Sequence, residues 1–123
     1  MKKKITKEEM KKIENTLSEL RQNLVLVEGK RDKEALESLG CKDVIAVAGR
    51  KNQIRDIVSA KKVIVATDLD QAGNELAKMI KEELEGDMQV DCETRIKLAK
   101  LLQFRYFEDI KKRYEKVKDE VGE

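Results

Sequence analysis

The chain has 123 residues, 40% of them hydrophobic and 42% charged, which is enough for one core and too short for two ordinary domains. Its 27 basic residues stand against 25 acidic ones, a net charge of +2, so bulk charge names neither nucleic acid nor a membrane as partner and any preference has to be local. No apolar run approaches the roughly 18–20 residues of a membrane span, and the basic start at residues 2–4 leads into an amphipathic segment instead of a signal-peptide core, so a cytoplasmic protein is expected.

Residues 6–21 carry Met10, Ile13, Leu17 and Leu20 at three-and-four spacing, which places them on one face of a helix, with Thr6 and Glu9 in a capping-box pattern. The run Leu-Val-Leu-Val at 24–27 suits a strand buried on both faces, and Glu28 and Gly29 end it. Asp32 is expected to cap a helix that reaches about residue 39 and stops at Gly40. A second strand is expected over 44–48, ended by Gly49, and a helix capped by Asn52 over about 52–59. Residues 63–67 read as a third strand, 68–73 as a loop and 74–84 as a helix. Gly86 and Asp87 break that helix before a short fourth strand at 88–90, and further helices follow at 93–102 and 107–117. The stripe Leu98, Leu101, Leu102, Phe104, Tyr106 and Phe107 reads as helix packing, with base stacking left open.

Strands alternating with helices at this spacing imply right-handed βαβ units and an α/β fold with a mostly parallel sheet covered on both faces. The whole chain, 1–123, is read as a single domain with an N-terminal helix over 1–22 and a C-terminal helical extension over 92–123.

The chain has no His, which removes Ser-His and Cys-His nucleophile pairs and every imidazole metal ligand. Cys41 and Cys92 stand alone in sequence and read as reduced packing residues. Chemistry here has to run on carboxylates, lysines and metal. In an open parallel sheet, ligands gather beyond the carboxyl ends of the strands, where Glu28 and Asp68 each follow a strand directly and Asp70 comes two residues later. Asp68 and Asp70 leave an extended chain on the same side. Neighbouring strands lie about 4.8 Å apart, so Glu28 reaches the same ion only if strands one and three are adjacent. The strand order 2-1-3-4 follows from that requirement.

Three carboxylates converging within about 5 Å repel by up to a few kcal/mol per pair, which a divalent cation relieves. An all-oxygen donor set favours Mg²⁺ or Mn²⁺ over zinc, and Mg²⁺ keeps waters that phosphate oxygens can replace. Lys30, Arg31, Arg50 and Lys51 follow strand ends and should crowd the same rim, where they are either backbone-binding cations or ordinary solvated charge.

The stretches LVLVEGKRDKEAL at 24–36 and VIVATDLDQAG at 63–73 resemble the two motifs of the Toprim family, which includes topoisomerases, DnaG-type primases and small nucleases. The resemblance covers a core over 23–91 and is nearest to small stand-alone, archaeal-type Toprim proteins and to nuclease- and primase-like Toprim domains. It implies a Rossmann-like, four-stranded sheet with helices on both faces. It implies Mg²⁺ as cofactor, one ion or two with Mn²⁺ able to substitute, held by Asp68 and Asp70 with Glu28 as a further candidate ligand. Glu28 becomes the general acid or base, Lys30 a further catalytic candidate, and Gly29 and Gly73 the turn glycines at the phosphate approach. Many relatives place an acid directly after the second-motif glycine, where this chain has Asn74.

Two functions follow as expectations. One is Mg²⁺-dependent phosphodiester chemistry, of nuclease or nucleotidyl-transfer type, on RNA or DNA. The alternative is a non-catalytic, Mg²⁺-dependent nucleic-acid-binding or adaptor module. Both leave room for a protein partner that supplies substrate specificity, and neither involves a membrane.

Overall fold

The computed structural model describes residues 5–121; the basic start at residues 2–4 lies outside them. Helix α1 (Lys7–Gln22) begins with the expected capping box: the Glu9 amide donates to Thr6 Oγ1 and the Thr6 amide to Glu9 Oε1, both at 3.0 Å. Four parallel strands follow, β1 (Leu24–Val27), β2 (Val44–Ala46), β3 (Lys62–Val65) and β4 (Gln89–Asp91), in the sheet order β2-β1-β3-β4. This is the order that the carboxylate spacing required, and the α/β, Rossmann-like class is as expected.

Burial alternates along the two central strands. Val25, Val27, Ile64 and Ala66 face a core built with α1, α2 (Lys30–Ser38), α5 (Thr94–Leu102) and α6 (Ile110–Glu120). Leu26, Val63 and Val65 face a second core built with α3 (Ile54–Ile57) and α4 (Gln71–Leu84). The sheet is thus covered on both faces, and its central strands are apolar over Leu24–Val27 and 63–65 for that reason, whereas the edge strand β4 reads Gln-Val-Asp. No helix among the described residues is long and apolar enough to cross a membrane. Cys41 and Cys92 are free thiols, Cys41 buried in the first core and Cys92 packed against the second, and burial pushes the Cys41 thiol up to about 11.

Several boundaries differ from expectation, each with a local cause. Helix α2 starts at Lys30 with Gly29 as its cap, and Asp32 is the third helical residue, accepting the Gly29 amide at 3.0 Å. Helix α4 starts at Gln71, three residues early, because the Asp70 carboxylate accepts the Gly73 amide at 2.7 Å and caps it. Asn52 caps nothing: the link after β2 makes a tight turn at Lys51–Gln53 and only one turn of helix in α3. The last helix opens as a tight turn, Phe107–Asp109, before α6.

Candidate metal centre

The site is assembled at the carboxyl ends of β1 and β3. The β1–β3 register pairs Leu26 with Val65, and carried two residues on it sets Glu28 beside Thr67, with Asp68 next in the chain. Glu28 is also tied to the other neighbour, since its carbonyl accepts the Ala48 amide at 2.8 Å. Asp68 is half-buried, and its Oδ1 accepts the Phe107 amide at 2.8 Å. Burial, opposed by that amide and reinforced by the charges of Asp32, Asp70 and Glu28, pushes the Asp68 carboxyl up to about 6. Asp32, only 8% exposed, is raised by burial above all, with the Gly29 amide pulling it down and Glu108 and Glu28 pushing it up.

These carboxylates therefore sense one another, yet among the described residues no three Asp, Glu or Cys side chains stand at the spacing that closes round an ion. The expected convergence of three acids is looser than the sequence implied. One oxygen each of Asp68, Asp70 and Asp32 is committed to a backbone amide, that of Phe107, Gly73 and Gly29 respectively. Asp70 caps α4 through Oδ1 alone, so that bond leaves its second carboxylate oxygen uncommitted.

Behind the loop lies Arg95, 3% exposed. Its Nε donates to the Thr67 carbonyl at 2.9 Å, and its Nη2 donates to the Asp68 carbonyl at 2.5 Å and to Asn74 Oδ1 at 2.7 Å. One guanidinium thus joins the end of β3, the candidate ligand Asp68 and the first turn of α4. Asn74, directly after Gly73, spends its side-chain oxygen on this clamp. The Thr67 hydroxyl completes the loop by donating to the Gly73 carbonyl at 2.7 Å.

The two motif glycines are not equivalent. A Cβ on Gly73 would lie 1.9 Å from the Asp68 carbonyl oxygen, whereas one on Gly29 would meet nothing nearer than Asp32 Oδ2 at 3.8 Å. Gly73 lets α4 press against the Asp68 backbone, and Gly29 sits in extended backbone that any residue adopts. Lys30 and Arg31 occupy the first turn of α2, with Arg50 and Lys51 in the loop after β2, all exposed. Arg50 Nη2 donates back to the Ala46 carbonyl at 3.0 Å, and Arg31 lies 3.9 Å from Glu108. Lys51 lines two surface cavities, of about 680 and 450 Å³, that contain none of Glu28, Asp68 and Asp70.

Sequence reasoning missed Asp32 as a site acid, Arg95 as the clamp and the Phe107 amide as the partner of Asp68. Arg95 had a signal, because Arg95, Leu98, Ala99 and Leu102 share one helical face and all are buried. The Phe107 contact had none, since it joins residues 39 apart.

Residues 22–95, which carry all four strands together with Glu28, Asp32, Asp68 and Asp70, match the Toprim domain family. The chain is 34% identical over 97 residues to a UPF0292 protein of Pyrococcus furiosus, covering 74% of this chain and 73% of that one. It is 36% identical over 100 residues to a UPF0292 protein of Thermococcus onnurineus, covering 76% and 75%. A solved structure, a putative protein from Aquifex aeolicus, is similar with a TM-score of 0.68 and 31% identity over 78% of this chain and 95% of that one.

Proposed function

The chain belongs to the Toprim domain family, and from that premise we propose that it carries out Mg²⁺-dependent phosphodiester chemistry on nucleic acid at Glu28, Asp68 and Asp70. Family membership itself suggests a metal-dependent function connected with nucleic acid, and Toprim domains generally bind Mg²⁺. The observation that carries the finer reading is the position of Glu28 and Asp68 at the ends of two adjacent strands, where burial first, and then the charges of Asp32, Asp70 and Glu28, leave Asp68 hard to ionise without a counter-charge.

The donor set fits a hard cation. Every available side-chain ligand is a carboxylate oxygen, and Mg²⁺ takes one or two of these directly while water and phosphate fill the remaining positions. A looser group of acids suits that ion better than a closed three-ligand cage. Asp68 and Asp70 would hold it through the oxygens not given to Phe107 and Gly73, and Asp32 would act from behind. The bound ion supplies Lewis-acid polarisation of a phosphate oxygen. Glu28 would take or return the proton of the attacking or leaving oxygen, with Lys30 pairing with the phosphate. Arg31, Arg50 and Lys51 would hold the flanking backbone as screened, salt-sensitive contacts.

The test is a screen of short RNA and DNA strands with Mg²⁺ or Mn²⁺ against wild type and Glu28→Gln. Metal-dependent cleavage or transfer, lost in Glu28→Gln, is expected. Metal-dependent binding without product for any substrate would replace the catalytic reading with that of an adaptor module.

A further inference from the structure

Beyond the family-matched residues, one short segment is bolted onto the candidate site from outside. Helix α5 ends at Gln103, whose left-handed conformation (φ 58°, ψ 57°) turns the chain back toward the loop after β3. The Arg105 carbonyl accepts the Leu69 amide at 2.8 Å, and the Phe107 amide donates to Asp68 Oδ1 at 2.8 Å. The residue between these two anchors is Tyr106.

Tyr106 is 39% exposed. Of the other three aromatic rings, Phe104 and Phe107 pack edge to face at 4.9 Å against the first core. Tyr114 is tied by its hydroxyl to Glu14. Among the described residues the Tyr106 side chain makes no hydrogen bond or ring contact, and the neighbouring Arg105 side chain is exposed. A lone exposed ring is ordinary on a protein surface. What sets this one apart is that the backbone on both sides of it is fixed to Asp68 and Leu69, with a cation beside it.

We propose that Tyr106 and Arg105 form a subsite for an unpaired nucleotide next to the carboxylate centre, which makes single-stranded nucleic acid the substrate class. This rests on the metal-on-phosphate reading above. A base stacks on an aromatic ring whatever its identity, and an adjacent arginine pairs with the backbone. Bases within a duplex have their faces covered by their neighbours, so a single ring held by rigid backbone captures a base only where the strand is open. The carboxylates repel a bare phosphate chain, so Arg105 and the bound cation are both needed to hold a strand across this rim.

The probe is fluorescence anisotropy with end-labelled oligo(dT) and oligo(U), and a duplex of equal length, in Mg²⁺. Wild type is expected to prefer the single strands. Tyr106→Ala should weaken single-strand binding about tenfold, and Tyr106→Phe, which keeps the ring, should stay within about twofold. The chain has two Tyr and no Trp, so single-strand quenching of tyrosine emission should vanish in Tyr106→Phe, where Tyr114 alone emits. Single-strand affinity unchanged in Tyr106→Ala, or a wild-type preference for duplex, overturns the subsite while leaving the metal-on-phosphate reading intact. A wild type that binds Mn²⁺ but no oligomer at all overturns both.

Discussion

Replacing Asp68 by Asn should stabilise the metal-free protein. The Asp68 carboxyl is pushed from an ordinary 3.8 up to about 6, so the folded protein holds a proton there more tightly than the unfolded chain does. The stability associated with that proton is fully present below about pH 4 and is lost as pH rises through about 6. At about 1.4 kcal/mol per pH unit the gap amounts to about 3 kcal/mol, which solvent screening of a half-exposed side chain reduces to about 1–2 kcal/mol. Asn is neutral at every pH, and its Oδ1 can still accept the Phe107 amide. For a domain of this size, Asp68→Asn should therefore melt roughly 3–8 °C above wild type at pH 7.5 in chelator. The advantage should shrink toward zero near pH 4. Melting curves of both proteins across pH 4–8 with EDTA provide the assay. Asp32, also raised and coupled to Asp68, tilts both curves in the same direction, so the difference between them reports Asp68 together with that coupling. An Asp68→Asn protein less stable than wild type at pH 7.5, or a difference that ignores pH, would refute the electrostatic account of the site.

Gly73→Ala should cost about 3 kcal/mol or more, because its Cβ would fall 1.9 Å from the Asp68 carbonyl oxygen, whereas Gly29→Ala should change stability by less than about 1 kcal/mol; chemical denaturation of the pair checks the contrast. Arg95→Met should destabilise by about 3–5 kcal/mol, since it strips the Thr67 and Asp68 carbonyls of their buried donor. Asn74→Ala, which removes only the third partner of the clamp, should cost about 1 kcal/mol in the same assay; equal losses for the two variants would contradict the clamp.

The strand order was legible in the sequence because Glu28 and Asp68 could reach a common ion only from adjacent strands. The apolar runs at 24–27 and 63–67 marked both strands, although β3 itself ends at Val65 and the Ala66 amide makes one more bond, to the Leu26 carbonyl at 2.7 Å. Chain direction at the caps was harder to read. Asp32 and Asp70 look alike in sequence, an acid near the start of a helix. One sits three residues inside its helix and the other caps it, and the difference depends on which glycine amide each can reach. Arg95 shares a helical face with Leu98, Ala99 and Leu102, although an arginine beside an apolar stripe usually snorkels to solvent. Here the Thr67 and Asp68 carbonyls after β3 and Asn74 Oδ1 in α4 hold it inside. The role of residues 105–107 was beyond sequence reasoning, because it depends on a tertiary return from α5 to a loop almost 40 positions earlier.

The account depends most directly on whether the acids at the ends of β1 and β3 hold a divalent cation. Titration of Mn²⁺ into the metal-free protein, followed by the loss of the free-ion electron paramagnetic resonance signal, measures this without any substrate. Saturable binding in wild type, weakened at least tenfold in Asp68→Asn although that variant is the more stable of the two, is the predicted result. Equal binding by both proteins, or none by wild type, would contradict it.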